Sequence, residues 1–161
     1  MAQDIFLKID GIPGESLDAK HAGEIQVLDW GFGVSQTGDF HVGSGGGAGK
    51  ASFRDFQFDH RVDKSSPRLF LACASGEHIK SATLTVRKAG KEQHEYMKIN
   101  FTDLLISNIQ DGGSSSSPEL PTQTVTIAFS KVEFEYRPQK ADGSLDAAIK
   151  HGWDLKKNEK V

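Results

Sequence analysis

Along most of this chain apolar side chains recur at every second position. That period fits an extended, pleated backbone with one face turned inward. Ile5, Leu7 and Ile9 alternate with Phe6 and Lys8. Ile25 and Val27, running on into Leu28-Asp29-Trp30-Gly31-Phe32, predict a second strand, and Phe53, Phe56 and Phe58 a third. Ala82, Leu84 and Val86 face one way while Thr83, Thr85 and Arg87 face the other. Met97, Ile99 and Phe101 alternate with Tyr96, Lys98 and Asn100 in a long strand that continues toward Ile109. Threonine and aromatic residues are frequent, as a half-buried pleated surface favours.

Between 124 and 136 the apolar phase changes. Val125, Ile127 and Phe129 occupy odd positions, whereas Val132, Phe134 and Tyr136 occupy even ones. A strand that keeps one face inward through such a flip needs an extra residue, so a β-bulge is expected at Ser130-Lys131. Pro138 should then end the strand.

One segment departs from this period. Ser66 followed by Pro67 has the form of an N-cap and a first helical position. Leu69, Phe70 and Cys73 make an apolar stripe at helical spacing, and Gly76 supplies a left-handed stop. This predicts one short α-helix over about 66–75. Residues 43–49 (Gly-Ser-Gly-Gly-Gly-Ala-Gly) and 111–121 (Asp-Gly-Gly-Ser-Ser-Ser-Ser-Pro-Glu-Leu-Pro) are loops within one domain. At 161 residues, 1–161 is read as a single domain, and a chain of this length can bury roughly 68–70% of its unfolded surface. The expected fold is mainly β: a compact antiparallel β-barrel, or a sandwich, of about eight strands with one short flanking α-helix.

Charge and composition narrow the function. The net charge is −3, and the lysines at 156, 157 and 160 are interleaved with Asp154 and Glu159. No basic face is present, so nucleic acid is not an expected partner. One cysteine, Cys73, rules out an intramolecular disulfide and suits a reducing compartment. The N-terminus lacks a basic segment followed by an apolar core, so no cleaved signal peptide is expected. No apolar run approaches the ~20 residues of a spanning helix, so no membrane insertion is expected.

Catalytic patterns do not hold up. Ser44-Gly45-Gly46-Gly47-Ala48-Gly49-Lys50-Ala51 imitates a phosphate-binding loop, but Ser44 stands at the first glycine position. Ala51 replaces the metal-binding hydroxyl, and strand residues follow where a helix is needed. The six histidines (21, 41, 60, 78, 94 and 151) show no metal-ligand spacing. Cys73 reads as a small core residue on its helix, and Trp30 and Trp153 as fillers of a core or a subunit interface. Glu133 and Glu135 read as a solvated face or an interface. No catalytic, cofactor or metal site is expected, and the chain is not read as an enzyme. An assembly subunit and a monomeric small-ligand binding module both remain open on the residues alone.

Several stretches, taken in order, resemble the haemolysin-coregulated protein (Hcp) family, the tube subunit of type VI secretion systems. They are Asp4-Ile5-Phe6-Leu7-Lys8-Ile9, Gly14-Glu15-Ser16, the run from His21 to Trp30, and Asp63-Lys64-Ser65-Ser66-Pro67. Ala72-Cys73-Ala74-Ser75-Gly76, Leu84 to Gly90, Phe134 to Gly143, and Gly152-Trp153 follow. The order is collinear over nearly the whole chain. The resemblance implies a homohexameric ring that stacks into a hollow tube, driven outward by a contractile sheath and capped by a VgrG-type spike protein. It also implies a lumen that carries small effector proteins. Residence would be cytoplasmic before firing and extracellular, or in a target cell, afterwards. The strand at Trp30, Gly31 and Phe32 resembles the lumen-facing part of the family, with Gly31 where relatives can carry a small polar side chain. The segment 38–49, including Asp39, His41, Ser44, Gly46 and Ala48, resembles the extended loop that reaches the adjacent ring.

Overall fold

The period-2 pattern is realised as an antiparallel sheet. A computed structural model of the protein describes residues 3–39 and 47–161. In chain order these form β1 (Gln3–Ile9), β2 (Ile25–Gln26), β3 (Asp29–Ser35), β4 (Gly38–Asp39), β5 (Gly47–Ala48) and β6 (Ser52–Arg61). Then come α1 (Ser65–Ser75), β7 (Ile79–Lys88), β8 (Glu95–Gly112), β9 (Thr122–Tyr136), β10 (Ile149–Asp154) and β11 (Glu159–Lys160). The main sheet runs β2-β1-β7-β8-β9-β10-β11, with β6 added to β9 and β3 to β6, while β4 and β5 pair by themselves.

The sheet forks at β9. Its first half, Thr122 to Ile127, pairs with β6, and its second half, Lys131 to Tyr136, pairs with β10. Both halves pair with β8. The sheet curls until its far edges meet, yet among the described residues no continuous ladder closes it. Instead Val27 N–H donates to the Ile5 carbonyl (2.9 Å), and the next amide, Leu28 N–H, donates to the Asp59 carbonyl (2.8 Å). The expected second strand is therefore split into β2 and β3, because consecutive residues bond to β1 on one side and β6 on the other. The interior of this curl is filled. Leu7, Ile25, Phe56, Phe58, Leu84, Ile99, Phe101, Val125 and Ile127 are fully buried.

The phase flip at 129–132 is real, but its cause is different from a bulge in β9. Phe129 and Val132 are both buried, yet the register with β8 holds across them: Leu104 opposes Phe129 and Thr102 opposes Lys131. The flip occurs on β8 as well, where Phe101 and Leu104 are both buried, and on β7, where Ile79 and Ala82 are. Register between β7 and β8 also holds there. Three neighbouring strands thus change phase at one level, so their shared inward face stays aligned without an inserted residue. This crease turns on Asp103, whose φ of 50° lies in the left-handed region. Its carboxylate accepts from Ser130 Oγ (3.1 Å) and Lys156 Nζ (2.7 Å) and meets His78 Nδ1 (3.1 Å). A true ladder irregularity on β8 lies farther along, between Ile106 and Asn108. Asp103→Ala is expected to destabilise by about 1–2 kcal/mol more than Asp103→Asn, since Asn tolerates this φ and Ala does not. Urea denaturation of the two variants measures the difference; equal losses would remove the backbone argument.

The helix begins one residue earlier than the sequence suggests, and its cap differs. Lys64, not Ser66, is the capping position, and it makes no side-chain cap bond. Asp63 satisfies the start of the helix instead, because its Oδ1 accepts from Ser65 N–H (2.8 Å) and Ser65 Oγ. Ser66 lies inside the helix, with its Oγ accepting from Asp63 N–H (3.1 Å). Gly76 does stop the helix, at φ 66°. Leu69 and Ala72 form the buried face against the core, whereas Phe70 points away and is 66% exposed. Cys73 is half-buried and packs on the core cluster. At 100° per residue the helix can aim only one of the neighbours Leu69 and Phe70 inward.

Candidate assembly and carrier surfaces

The strand carrying Trp30, Gly31 and Phe32 separates these residues by face. Trp30 stacks toward Phe56 (centroids 6.3 Å apart), and Phe32 packs against Phe101 and Phe129 (6.1 and 6.0 Å). Gly31 points to the opposite side, and a Cβ there would meet nothing within 4 Å. Register then builds an outward face from it. Gly31 opposes Gln57, Gln57 opposes Thr126, and Thr126 opposes Asn108. In the next row Asp29, Asp59, Thr124 and Gln110 stand side by side across the same four strands. Thr124 Oγ1 donates to Asp59 Oδ1 (2.6 Å). The surface is polar, low and without apolar anchors, a poor lining for a tight hydrophobic interface and a suitable one for transient contact.

Gly31 and Gly152 make a direct contrast. A Cβ on Gly152 would lie 2.8 Å from the Val132 carbonyl oxygen, inside the β9–β10 ladder. Gly152→Ala is expected to cost about 1–3 kcal/mol through this backbone clash, whereas Gly31→Ser should change stability by less than about 0.5 kcal/mol. Thermal melts of both variants at one protein concentration check this. A destabilised Gly31→Ser would mean that the outward face is not open.

Of the predicted 38–49 loop, His41, Ser44 and Gly46 lie outside the described residues. At its base Gly38 pairs with Ala48 and Asp39 with Gly47, so a two-strand ribbon leads into and out of the segment. Lys50 runs on toward β6, a strand rather than a helix.

The loop between β1 and β2 carries charged groups that the strand pattern does not reveal. Arg87 on β7 is 2% exposed. Its guanidinium donates to Asp18 through Nη1 (2.9 Å) and Nη2, and reaches Asp4 at 3.3 Å. It also lies 4.9 Å from the centre of the Phe6 ring. That hydrogen bond from Arg87 lowers the Asp18 carboxyl to about 2. His21 stacks on Phe6 (4.5 Å) and bridges Glu24 (2.9 Å) and Glu95 (2.5 Å) with its two nitrogens. Both contacts are hydrogen bonds only when both nitrogens carry protons. Together these side chains fasten the 10–24 loop over the outer face of β1 and β7. Phe6 and Thr85 are therefore buried although they sit opposite the core-facing residues of their strands. Sequence reasoning placed Arg87 on the outer face but could not see that a loop covers it. The available signal was a cation-bearing strand face beside an acid-containing loop of moderate length.

The similarity to known proteins agrees with this geometry. The family described as "Type VI secretion system effector, Hcp" matches residues 6–136. Protein hcp1 of Pseudomonas aeruginosa is 48% identical over 160 residues, covering 98% of both chains. This chain belongs to the Hcp family. Hcp1 from Salmonella typhimurium superposes on it with a TM-score of 0.80 at 41% identity, covering both chains completely. A structure described as a type six secretion system protein reaches a TM-score of 0.94 at 28% identity over 99% of this chain and all of the other. A type VI secretion system effector from Yersinia pestis gives 0.76 at 38% identity, over 94% and 99% of the two chains. As an Hcp-family protein the chain is a type VI secretion protein, and the expected mainly-β fold is present. No helix among the described residues is long and apolar enough to cross a membrane.

Proposed function

We propose that this chain is the tube subunit of a type VI secretion system. Six copies close into a ring, and rings stack into a hollow tube that a contractile sheath expels behind a VgrG-type spike. The lumen carries small effector proteins. The protein resides in the cytoplasm until firing and is then released outside the cell or into a target cell. The observation that supports this most is the division of the sheet. One face holds a filled core, and the other, around Gly31, Gln57, Thr126 and Asn108, is an uncovered polar floor suited to a wall past which passengers slide. Trp30 and Phe32 support that wall from behind, with Gly31 at its surface. The ribbon-based 38–49 segment, with Asp39, His41, Ser44, Gly46 and Ala48, would reach the neighbouring ring. Fixing each residue of such a glycine-rich segment costs about 1–2 kcal/mol, which keeps stacking reversible. A monomeric ligand-binding barrel would need an open interior, and this interior is packed with phenylalanine.

Negative-stain electron microscopy of the purified chain tests the proposal. Rings with a central hole are expected. Uniform monomeric particles, with a light-scattering mass near 17.5 kDa at micromolar concentration, would defeat it.

A further inference from the structure

The 10–24 loop lies over β1 and β7 as a strap, and the head of β8 carries a bulge beside it. Arg87 opposes Glu95 and Val86 opposes Met97, so Tyr96 is an extra residue on β8. A bulge re-aims the side chains around it. Strict alternation would turn Glu95 inward with Met97 and Ile99; the extra residue places it on the outer face with Arg87. There Glu95 Oε1 lies 2.5 Å from His21 Nε2, while Glu24 Oε2 lies 2.9 Å from His21 Nδ1.

Carboxylates only accept, so a ring that donates to both must carry a proton on each nitrogen. The ring lies flat on Phe6, with 9° between the planes, where a positive charge also meets an aromatic face. Burial alone would push the Glu95 carboxyl up, yet the bond from His21 and the nearby Lys98 hold it below its ordinary value. Without the proton, one ring nitrogen turns a lone pair toward a carboxylate. Glu95 then keeps Lys98 at 3.5 Å, whereas Glu24 keeps no ion pair among the described residues. Lys8 and Lys20 line a cavity with Glu24 but form no ion pair with it.

The remaining charges around the ring are committed elsewhere. Arg87 on β7 holds Asp18 and Asp4, and His94, just before β8, turns to Glu92 (3.1 Å). Asp18 Oδ1 also accepts from the His21 backbone N–H (3.2 Å), so the Arg87 clasp helps to set where the histidine stands. The first arm of the strap is tied separately, since Glu15 accepts from Lys64 N–H at the start of α1 (2.8 Å).

We infer that the strap is a proton-held latch: protonated His21 pins Glu24 to Glu95, and loss of that proton releases the 18–24 arm from β8. The two clasps fail at opposite ends of the pH scale. The Arg87–Asp18 pair is fully present above about pH 4 and is lost toward 2, whereas the His21 clasp is present in acid and is lost as pH rises. Release uncovers Phe6 and Thr85, which the strap buries. The latch lies within one chain and does not depend on the ring reading.

Trypsin cleavage of the full-length protein after Lys20, an exposed residue of the strap, tests the latch. Dividing each rate by that of a matching free peptide of residues 16–25 removes the protease's own pH dependence. For wild type the ratio is expected to rise roughly tenfold between about pH 6 and about pH 9. His21→Phe keeps a ring against Phe6 and carries no titrating proton, so its ratio should be high and flat. His94→Gln should rise as wild type does. A flat wild-type ratio overturns the inference, and so does a rise that survives His21→Phe or disappears with His94→Gln. Imidazole nitrogen NMR of wild type reads the same point without a variant. At about pH 6 both His21 nitrogens are expected to carry protons, and a neutral ring there would overturn the latch.

Discussion

Phe101→Ala is expected to cost about 3–5 kcal/mol, the largest effect of any single substitution considered for this protein. Phe101 is fully buried on β8, immediately before the crease. Its ring lies 4.8 Å from that of Phe56, 4.9 Å from Phe129 and 6.1 Å from Phe32. These neighbours come from β6, β9 and β3, so the ring ties four strands together. Removing the ring leaves a cavity that three stiff aromatic neighbours on paired strands cannot collapse into. A domain of this size holds roughly 5–15 kcal/mol in total, so the loss is a large fraction. At about 2–4 °C per kcal/mol the melting temperature should fall by roughly 10 °C. Phe101→Leu, which keeps most of the volume, should lose less than half as much. Urea denaturation at fixed protein concentration measures both, since assembly would otherwise shift the midpoint. A loss below about 1 kcal/mol for the alanine variant would show that the aromatic cluster is not the centre of the core.

Arg87→Met should cost about 2–3 kcal/mol and should also change how stability depends on acid. The methionine keeps much of the packing over Phe6 and removes the charge. Truncating one partner of a buried ion pair costs about 3–5 kcal/mol, and here Asp4 and Asp18 keep some contact with water, which lowers the figure. The pH dependence follows from the Asp18 carboxyl, which is held at about 2 in the folded protein against 3.8 for the free group. A folded-state value below the unfolded one adds stability that is fully present above about pH 4. It is lost as pH falls through 4 toward 2. Wild type should therefore lose stability across that interval, and Arg87→Met should lose less of it. Asp103 is also held low, first by its bond from Lys156, and acts in the same direction. Asp103→Asn in both backgrounds separates its share. Melting temperatures from pH 2 to 6 provide the measurement; parallel curves for wild type and Arg87→Met would break the assignment.

Much of the fold was written in local patterns. The alternation in 5–9, 82–87, 96–109 and 124–136 falls within β1, β7, β8 and β9, because burying one face of a pleat requires that period. Gly76 stopped the helix, since a left-handed residue costs glycine nothing. The C-terminal strand β10 left little trace: Ile149, His151 and Trp153 alternate weakly and their pairing partner is distant in sequence. The break at Val27–Leu28 was equally hidden, because both residues look like strand and only their separate bonding partners divide them.

By itself the sequence determined the class of the fold, its inward-facing residues and its collinear likeness to the Hcp family. Each of these depends on residue type at fixed spacing along the chain. Tertiary structure decided which side of β3 is open. Trp30, Gly31 and Phe32 read as one patch along the chain, but a pleat sends Gly31 one way and its neighbours the other. It also decided that the phase flip at 129–132 is a crease shared by three strands. That outcome depends on register between segments far apart in sequence, which no local pattern encodes.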